Sequence, residues 1–166
     1  MNKALPEVIL YTDGAARGNP NGPGGYGFVL QFTDSKGILH EKAGSQGYVK
    51  TTNNRMELFA VISGLGALKT RCRVSVYSDS SYVVDAINQH WLDSWVRKNW
   101  KLSDGEAVAN QDLWKLLLIV MKKHDVTFFK VKGHADDCLN NRCDELARAA
   151  IREYRKHNMD LFPDEA

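Results

Sequence analysis

The chain has 166 residues, a formal net charge of +2, 43% apolar residues and 25% charged residues. These values are ordinary for a soluble globular domain with a sizeable core, and the net charge by itself announces no nucleic-acid partner. The longest unbroken apolar run, Leu116 to Met121, is far too short to cross a bilayer, so no membrane association is expected.

The N-terminal stretch MNKALPEVILYTDG has a short apolar run but no small-residue cleavage pattern, and reads as a first strand over Glu7 to Thr12 that stops at an Asp13-Gly14 turn. In GPGGYG, Gly22, Gly24 and Gly27 match the G-x-G-x-x-G dinucleotide pattern. That fingerprint must lead into a helix. FVLQF follows instead, so the nucleotide reading is rejected in favour of a glycine-rich turn entering a hairpin. Strands are expected over Gly25 to Phe32 and Leu39 to Val49, joined through TDSKG.

TTNNRMELFAVISGLGAL then starts a helix over Asn54 to Lys69, with Leu58, Val61, Ile62, Leu65 and Leu68 as its apolar stripe. Asn54 and Glu57 have the spacing of a capping box. A strand over Arg73 to Tyr77 and a helix through Val83, Val84 and Ile87 come next. Leu113, Leu116, Leu117, Val120 and Met121 mark another helix, and Val126 to Val131 a strand. Cys143, Leu146, Ala147, Ala150, Ile151 and Tyr154 form the apolar face of the last helix. This order indicates an α/β domain, a mixed sheet with helices on its faces, over residues 1–166. The three cysteines, Cys72, Cys138 and Cys143, have no framework spacing. Reduced thiols and a cytoplasmic location are the expectation, with a Cys138–Cys143 bridge as the alternative.

Four carboxylates sit where secondary structure changes. Asp13 and Asp79 follow strands; Glu57 and Asp144 open helices. Taken singly, a turn, a cap or a solvated helix residue explains each. Taken together, hard oxygen ligands suit Mg²⁺ or Mn²⁺ and a paired-ion site for phosphoryl chemistry, and two of them leave the strand ends where α/β sheets present ligands. All four tryptophans, Trp91, Trp95, Trp100 and Trp114, lie in or just after a segment that also holds Arg97, Lys98 and Lys101. Interleaved rings and cations suit nucleic acid; packing of a Trp pair on the core is the equal alternative. His134, in the loop VKGHADD, is a candidate acid or base, a surface histidine without a role being the commoner case.

YTDGAARGNP, TTNNRMEL, SDSSYV, VKGHA and NNRCDELARAA, in this order and spacing, resemble ribonuclease H of the bacterial HI type over about Val8 to Arg152. The resemblance implies an RNase H-like fold with a five-stranded mixed sheet and helices on both faces. It implies a monomeric, metal-dependent endonuclease that cuts the RNA strand of an RNA–DNA hybrid and leaves 5′-phosphate and 3′-hydroxyl ends. Asp13, Glu57, Asp79 and Asp144 fall on the family's ligands for two Mg²⁺ ions, and His134 on its loop histidine. Asn19, Thr52, Asn53, Asn54 and Ser81 fall on substrate-contact positions. Trp91, Trp95, Arg97, Lys98, Trp100 and Lys101 fall on a basic handle over about residues 90–110, with a tail over about 158–166.

Some positions depart from that pattern. Ser81 stands where relatives often have Gln, which removes a contact. LSDGEAVAN carries Asp104 and Glu106 and no lysine, so hybrid binding is expected to be weaker and less salt-dependent than in a Lys-rich relative. Asp136 and Asp137 are expected to raise the pKa of His134.

Overall fold

The structure, a computed structural model, describes residues 4–18, 22–132 and 137–157. Its elements are β1 (Glu7–Ala16), β2 (Gly22–Thr33), β3 (Leu39–Thr51), α1 (Asn53–Gly66), β4 (Arg73–Ser78), α2 (Ser81–Asn88), α3 (Trp91–Arg97), α4 (Gln111–Met121), β5 (Asp125–Lys130) and α5 (Cys138–His157). The five strands form one mixed sheet in the order β3-β2-β1-β4-β5. β2 runs antiparallel to β1 and β3, whereas β1, β4 and β5 are parallel. Their parallel pairing brings the Asp13 region of β1 beside the carboxyl end of β4, with Asp13 inside β1 and Asp79 just after β4.

Period-two alternation puts Val8, Leu10 and Thr12 of β1 and Val74 and Val76 of β4 on one buried face. α1 covers that face, and α4 packs behind α1, where Trp114 and Leu117 are fully buried. α5 covers β1, β2 and β3 on the opposite face. Helices thus lie on both faces, as expected.

The glycines account for the main correction. β1 does not turn at Asp13-Gly14; it continues to Ala16, pairing Asp13 with Gly27 and Gly14 with Tyr26. GPGGYG is likewise inside β2, not in a turn. These glycines serve close approach and not chain reversal. A Cβ on Gly27 would stand 2.6 Å from the Leu146 Cβ and 2.7 Å from the Cys143 carbonyl oxygen. α5 can settle on the sheet because nothing projects there.

The alternative of a Cys138–Cys143 bridge is also overturned. Both residues lie on α5, five apart, with Cys138 exposed and Cys143 buried. Five residues of helix separate them by about 7.5 Å along the axis, beyond disulfide reach. No helix of the described residues is long and apolar enough to cross a membrane.

Candidate metal centre and nucleic-acid interface

Asp13 is set by β1, Asp79 by the residue after β4, and Glu57 by the second turn of α1. The capping-box expectation fails here. Thr52 is the N-cap, accepting the Arg55 amide on its Oγ1 at 3.1 Å, so Glu57 is free of capping and points inward. α1 comes close enough because residue 14 is glycine: a Cβ there would stand 2.5 Å from the Glu57 amide nitrogen.

One carboxylate oxygen from each of Asp13, Glu57 and Asp79 lies within 4.8 Å of the others. Burial and the charge of Asp79 push the Asp13 carboxyl up to about 7, with Asp144 adding to the effect. Burial, then Asp13, then Asp79 hold Glu57 well above its ordinary range. Burial also raises Asp79, against the nearby charge of Lys130. The Glu57 Oε2 is buried without a hydrogen-bond partner among the described residues. Three crowded carboxylates with an orphaned oxygen fit hard divalent cations, which would satisfy the oxygen and relieve the repulsion.

Asp144 stands in the second turn of α5, near enough for its charge to raise both Asp13 and Asp79. Its carboxylate is engaged by the Arg148 Nε at 3.1 Å, one turn along the helix, and it is outside the three-carboxylate cluster. Beneath the cluster, burial pushes the Cys143 thiol up to about 12, which leaves it an inert packing residue.

Around this centre, the amino end of α1 presents Thr52, Asn53 and Asn54. Since Thr52 Oγ1 accepts the helix amide, its hydroxyl proton is left to donate outward. Asn53 Oδ1 accepts the Ala16 amide at 2.6 Å and ties α1 to the end of β1. Ser81 is exposed at the start of α2, where its Oγ accepts from the Lys130 ammonium. Asn19, His134, Asp136 and the tail over 158–166 lie outside the described residues. Asp137 caps α5, its Oδ1 accepting the Asn140 amide at 3.1 Å.

The tryptophan segment divides between its two readings. Trp95 and Trp100 pack against the core, Trp95 edge-on to Trp114 with ring centroids 5.4 Å apart. Trp91 is exposed, as are Arg97, Lys98 and Lys101. Trp95 and Trp100 go inward, Trp91 and the cations outward.

Motif reading misses the group that joins these regions. The Arg55 guanidinium donates to both Asp112 oxygens, at 2.9 and 3.1 Å, and to Asn110 Oδ1 at 3.2 Å. Asn110 Nδ2 in turn donates to the Tyr82 hydroxyl at 3.0 Å, which also accepts from Trp114 Nε1 at 3.1 Å. Arg55 is inside TTNNRMEL, but partners that far along the chain leave no local signal.

A mixed five-stranded sheet carrying a carboxylate cluster at its parallel strand ends is the plan of a metal-dependent nuclease. The comparisons make that class specific: the RNase H family model matches residues 6–152, and the chain belongs to that family. It is 58% identical over 144 residues to a Ribonuclease H of Lachnoclostridium phytofermentans, covering 87% of this chain and 91% of the relative. It is 52% identical over 152 residues to a Ribonuclease H of Caldicellulosiruptor saccharolyticus, covering 91% and 100%. Among solved structures it is similar to LC9-RNase H1, described as a type 1 RNase H with the type 2 active-site motif. That match has a TM-score of 0.81 and 30% identity over 92% of this chain and 75% of the other. It is also similar to LC11-RNase H1 in complex with RNA/DNA hybrid, with a TM-score of 0.64 and 28% identity over 89% and 98%.

Proposed function

We propose that this chain is an endoribonuclease that hydrolyses the RNA strand of RNA–DNA hybrids and leaves 5′-phosphate and 3′-hydroxyl ends. The observation that carries the proposal is the cluster of Asp13, Glu57 and Asp79 within 4.8 Å, with its unpartnered Glu57 oxygen. These residues, with Asp144 as fourth ligand, would hold two Mg²⁺ ions, for which Mn²⁺ can substitute. Bound there, such ions neutralise charge at the attacking and leaving oxygens of an in-line displacement.

The remaining residues bind and orient. Thr52 donates its hydroxyl to a DNA phosphate, and Asn53 and Asn54 hold the backbones near the α1 amino end, where the helix dipole favours anions; Asn19 supplies a further substrate contact. Contacts to the 2′-hydroxyl distinguish RNA from DNA. Ser81, engaged by Lys130, offers a shorter reach than Gln would. Arg97, Lys98 and Lys101 meet phosphates, with Trp91 beside them, while Trp95 and Trp100 fix the handle to the core. His134 carries a proton to or from the reacting oxygens. We assign the whole span 1–166 to one monomeric cytoplasmic domain; unpaired cysteines agree with a reducing compartment.

The test is cleavage of end-labelled hybrid, with duplex DNA and duplex RNA as controls. RNA-strand cuts in the hybrid alone, abolished in Asp13→Asn, are expected. Cleavage of the DNA strand, or full activity in that variant, would overturn the assignment.

A further inference from the structure

On the face that α5 shields over β1 to β3, the sheet stays open toward β4 and β5, and Ile9 and Phe129 are 40% and 42% exposed there. Three rings cross this open part. Tyr11 stacks on Tyr77 at 4.8 Å and an interplanar angle of 11°, and Tyr77 on Phe129 at 5.2 Å and 21°. Those intervals match the spacing of neighbouring strands, about 4.8 Å, so the ladder advances one ring per strand. It stops at Phe129 because β5 is the sheet edge, and the outer face of that ring has no strand beside it. A flat ring could continue the stack at the same interval.

The ladder is also placed relative to the carboxylates. Tyr11 precedes Asp13 by two residues, and Tyr77 precedes Asp79 by two. One pleat repeat, about 7 Å along the strand, separates each ring from its carboxylate. Beside the rings runs a groove of about 650 Å³ whose lining includes Tyr11, Tyr77, Lys130, Lys132 and Asp137. Asp137 is occupied as the α5 cap, Lys130 alternates to the other face of β5 from Phe129 and donates to the Ser81 Oγ, and Lys132 is exposed in the groove lining. Stacked rings beside an exposed lysine are the chemistry that binds a single nucleic-acid strand, bases on rings and a phosphate on the cation.

We propose that the Tyr11–Tyr77–Phe129 ladder and the groove beside it, with Lys132 in its lining, bind an unpaired RNA flank that continues the RNA strand held at the carboxylates. The strand that reaches the groove is RNA because RNA is the strand held at the carboxylates. The enzyme then engages hybrids at junctions with single-stranded RNA more tightly than blunt hybrids. This rests on the hybrid-cleaving assignment above.

The test measures Kd by fluorescence anisotropy for Asp13→Asn protein in Mg²⁺, against blunt hybrid and hybrids with a six-nucleotide unpaired flank of RNA or of DNA at either end. An RNA flank at one end is expected to tighten binding about tenfold, the effect of one well-stacked base. Phe129→Ala and Lys132→Ala, each added to Asp13→Asn, should abolish that gain and leave blunt-hybrid Kd and melting temperature unchanged. Phe129→Leu, which retains apolar packing without a ring, should behave as Phe129→Ala and keeps the test valid if the alanine variant unfolds. Equal Kd for blunt and RNA-flanked hybrids would overturn the proposal, and so would an equal gain from a DNA flank. Self-association that disappears in Phe129→Leu, without a flank effect, would mark the face as a protein-binding surface instead. Failure to bind blunt hybrid at all would count against the hybrid-cleaving assignment itself.

Discussion

The carboxylate centre and the tryptophan-rich handle both concentrate charged residues, yet they are built in opposite ways. Asp13 and Glu57 are buried on a strand and a helix whose other faces form the core. Arg97, Lys98 and Lys101 stand in water, on a short helix and the turns around it, where His90 before the helix and Asn99, Trp100 and Asn110 after it adopt positive φ. Buried like charges repel strongly and demand a cation or a proton. Exposed cations are screened within about 8–10 Å and demand nothing. Chemistry therefore tolerates little change at the first region, while the second can exchange lysine for glutamate and still fold.

The largest effect expected from this contrast is that of Asp13→Asn. Cleavage should fall on the order of 10³-fold or more, about 4 kcal/mol of barrier. Removing one charge from the repelling cluster should at the same time raise the metal-free stability at pH 8 by about 1–2 kcal/mol. Thermal melts with and without Mg²⁺ check this. A variant less stable than wild type without metal would show that the carboxylates are not in mutual repulsion.

Gly14→Ala comes next. Its Cβ would meet backbone atoms of Met56 and Glu57 at 2.5 Å, so α1 must shift and take Glu57 with it. The expected cost is about 1–3 kcal/mol of stability and about 10²-fold in turnover, as for a misplacement near 1 Å. No handle glycine should behave this way; Gly105, with φ 88°, has nothing within 4 Å of a Cβ.

The handle should respond differently. Lys98→Ala with Lys101→Ala should raise KM a few-fold and leave kcat and stability unchanged. The slope of log K against log salt should flatten by about 0.9 for each phosphate that is no longer neutralised. Asp104→Lys with Glu106→Lys should tighten binding and steepen the same slope. Unchanged slopes in both variants would remove the handle from the binding surface.

The same contrast decides what the sequence can reveal. Asp79 and Glu57 are legible because a strand end and a helix start are local features, whereas Asp13 lies inside β1, which runs on to Ala16; the last helix is legible because Cys143 to Tyr154 keep one periodicity throughout. The glycines of β2 read as a turn because Gly25 and Gly27 answer to α5, more than a hundred residues away in the chain. Thr52 rather than Asn54 caps α1 because Glu57 is drawn into the site. The Trp segment is ambiguous in sequence because a ring that packs inward and one that meets a ligand have the same composition. Only tertiary structure separates Trp95 from Trp91.

The smallest effect concerns the opposite end of the sheet, and it tests whether pH sensitivity belongs to the carboxylates alone. His124 is buried at the β5 entrance, where its Nδ1 accepts the Cys72 amide at 3.1 Å. Burial, with nearby Arg71 and Lys123, holds its pKa below the usual histidine value, against a hydrogen bond to Leu65. The unfolded chain protonates this residue near pH 6.5, the folded one only at lower pH. Over that window the unfolded state binds more protons, so stability rises with pH and the contribution of His124 is lost as pH falls below about 6.5. His124→Ala should therefore cost about 1–3 kcal/mol at pH 7.5, the penalty of an unpaired buried amide, and distinctly less at pH 5. Hybrid cleavage by the folded variant should match wild type, since the carboxylates lie at the other strand ends. Urea melts at both pH values supply the measurement. A stability difference independent of pH would show that His124 does not titrate in this range.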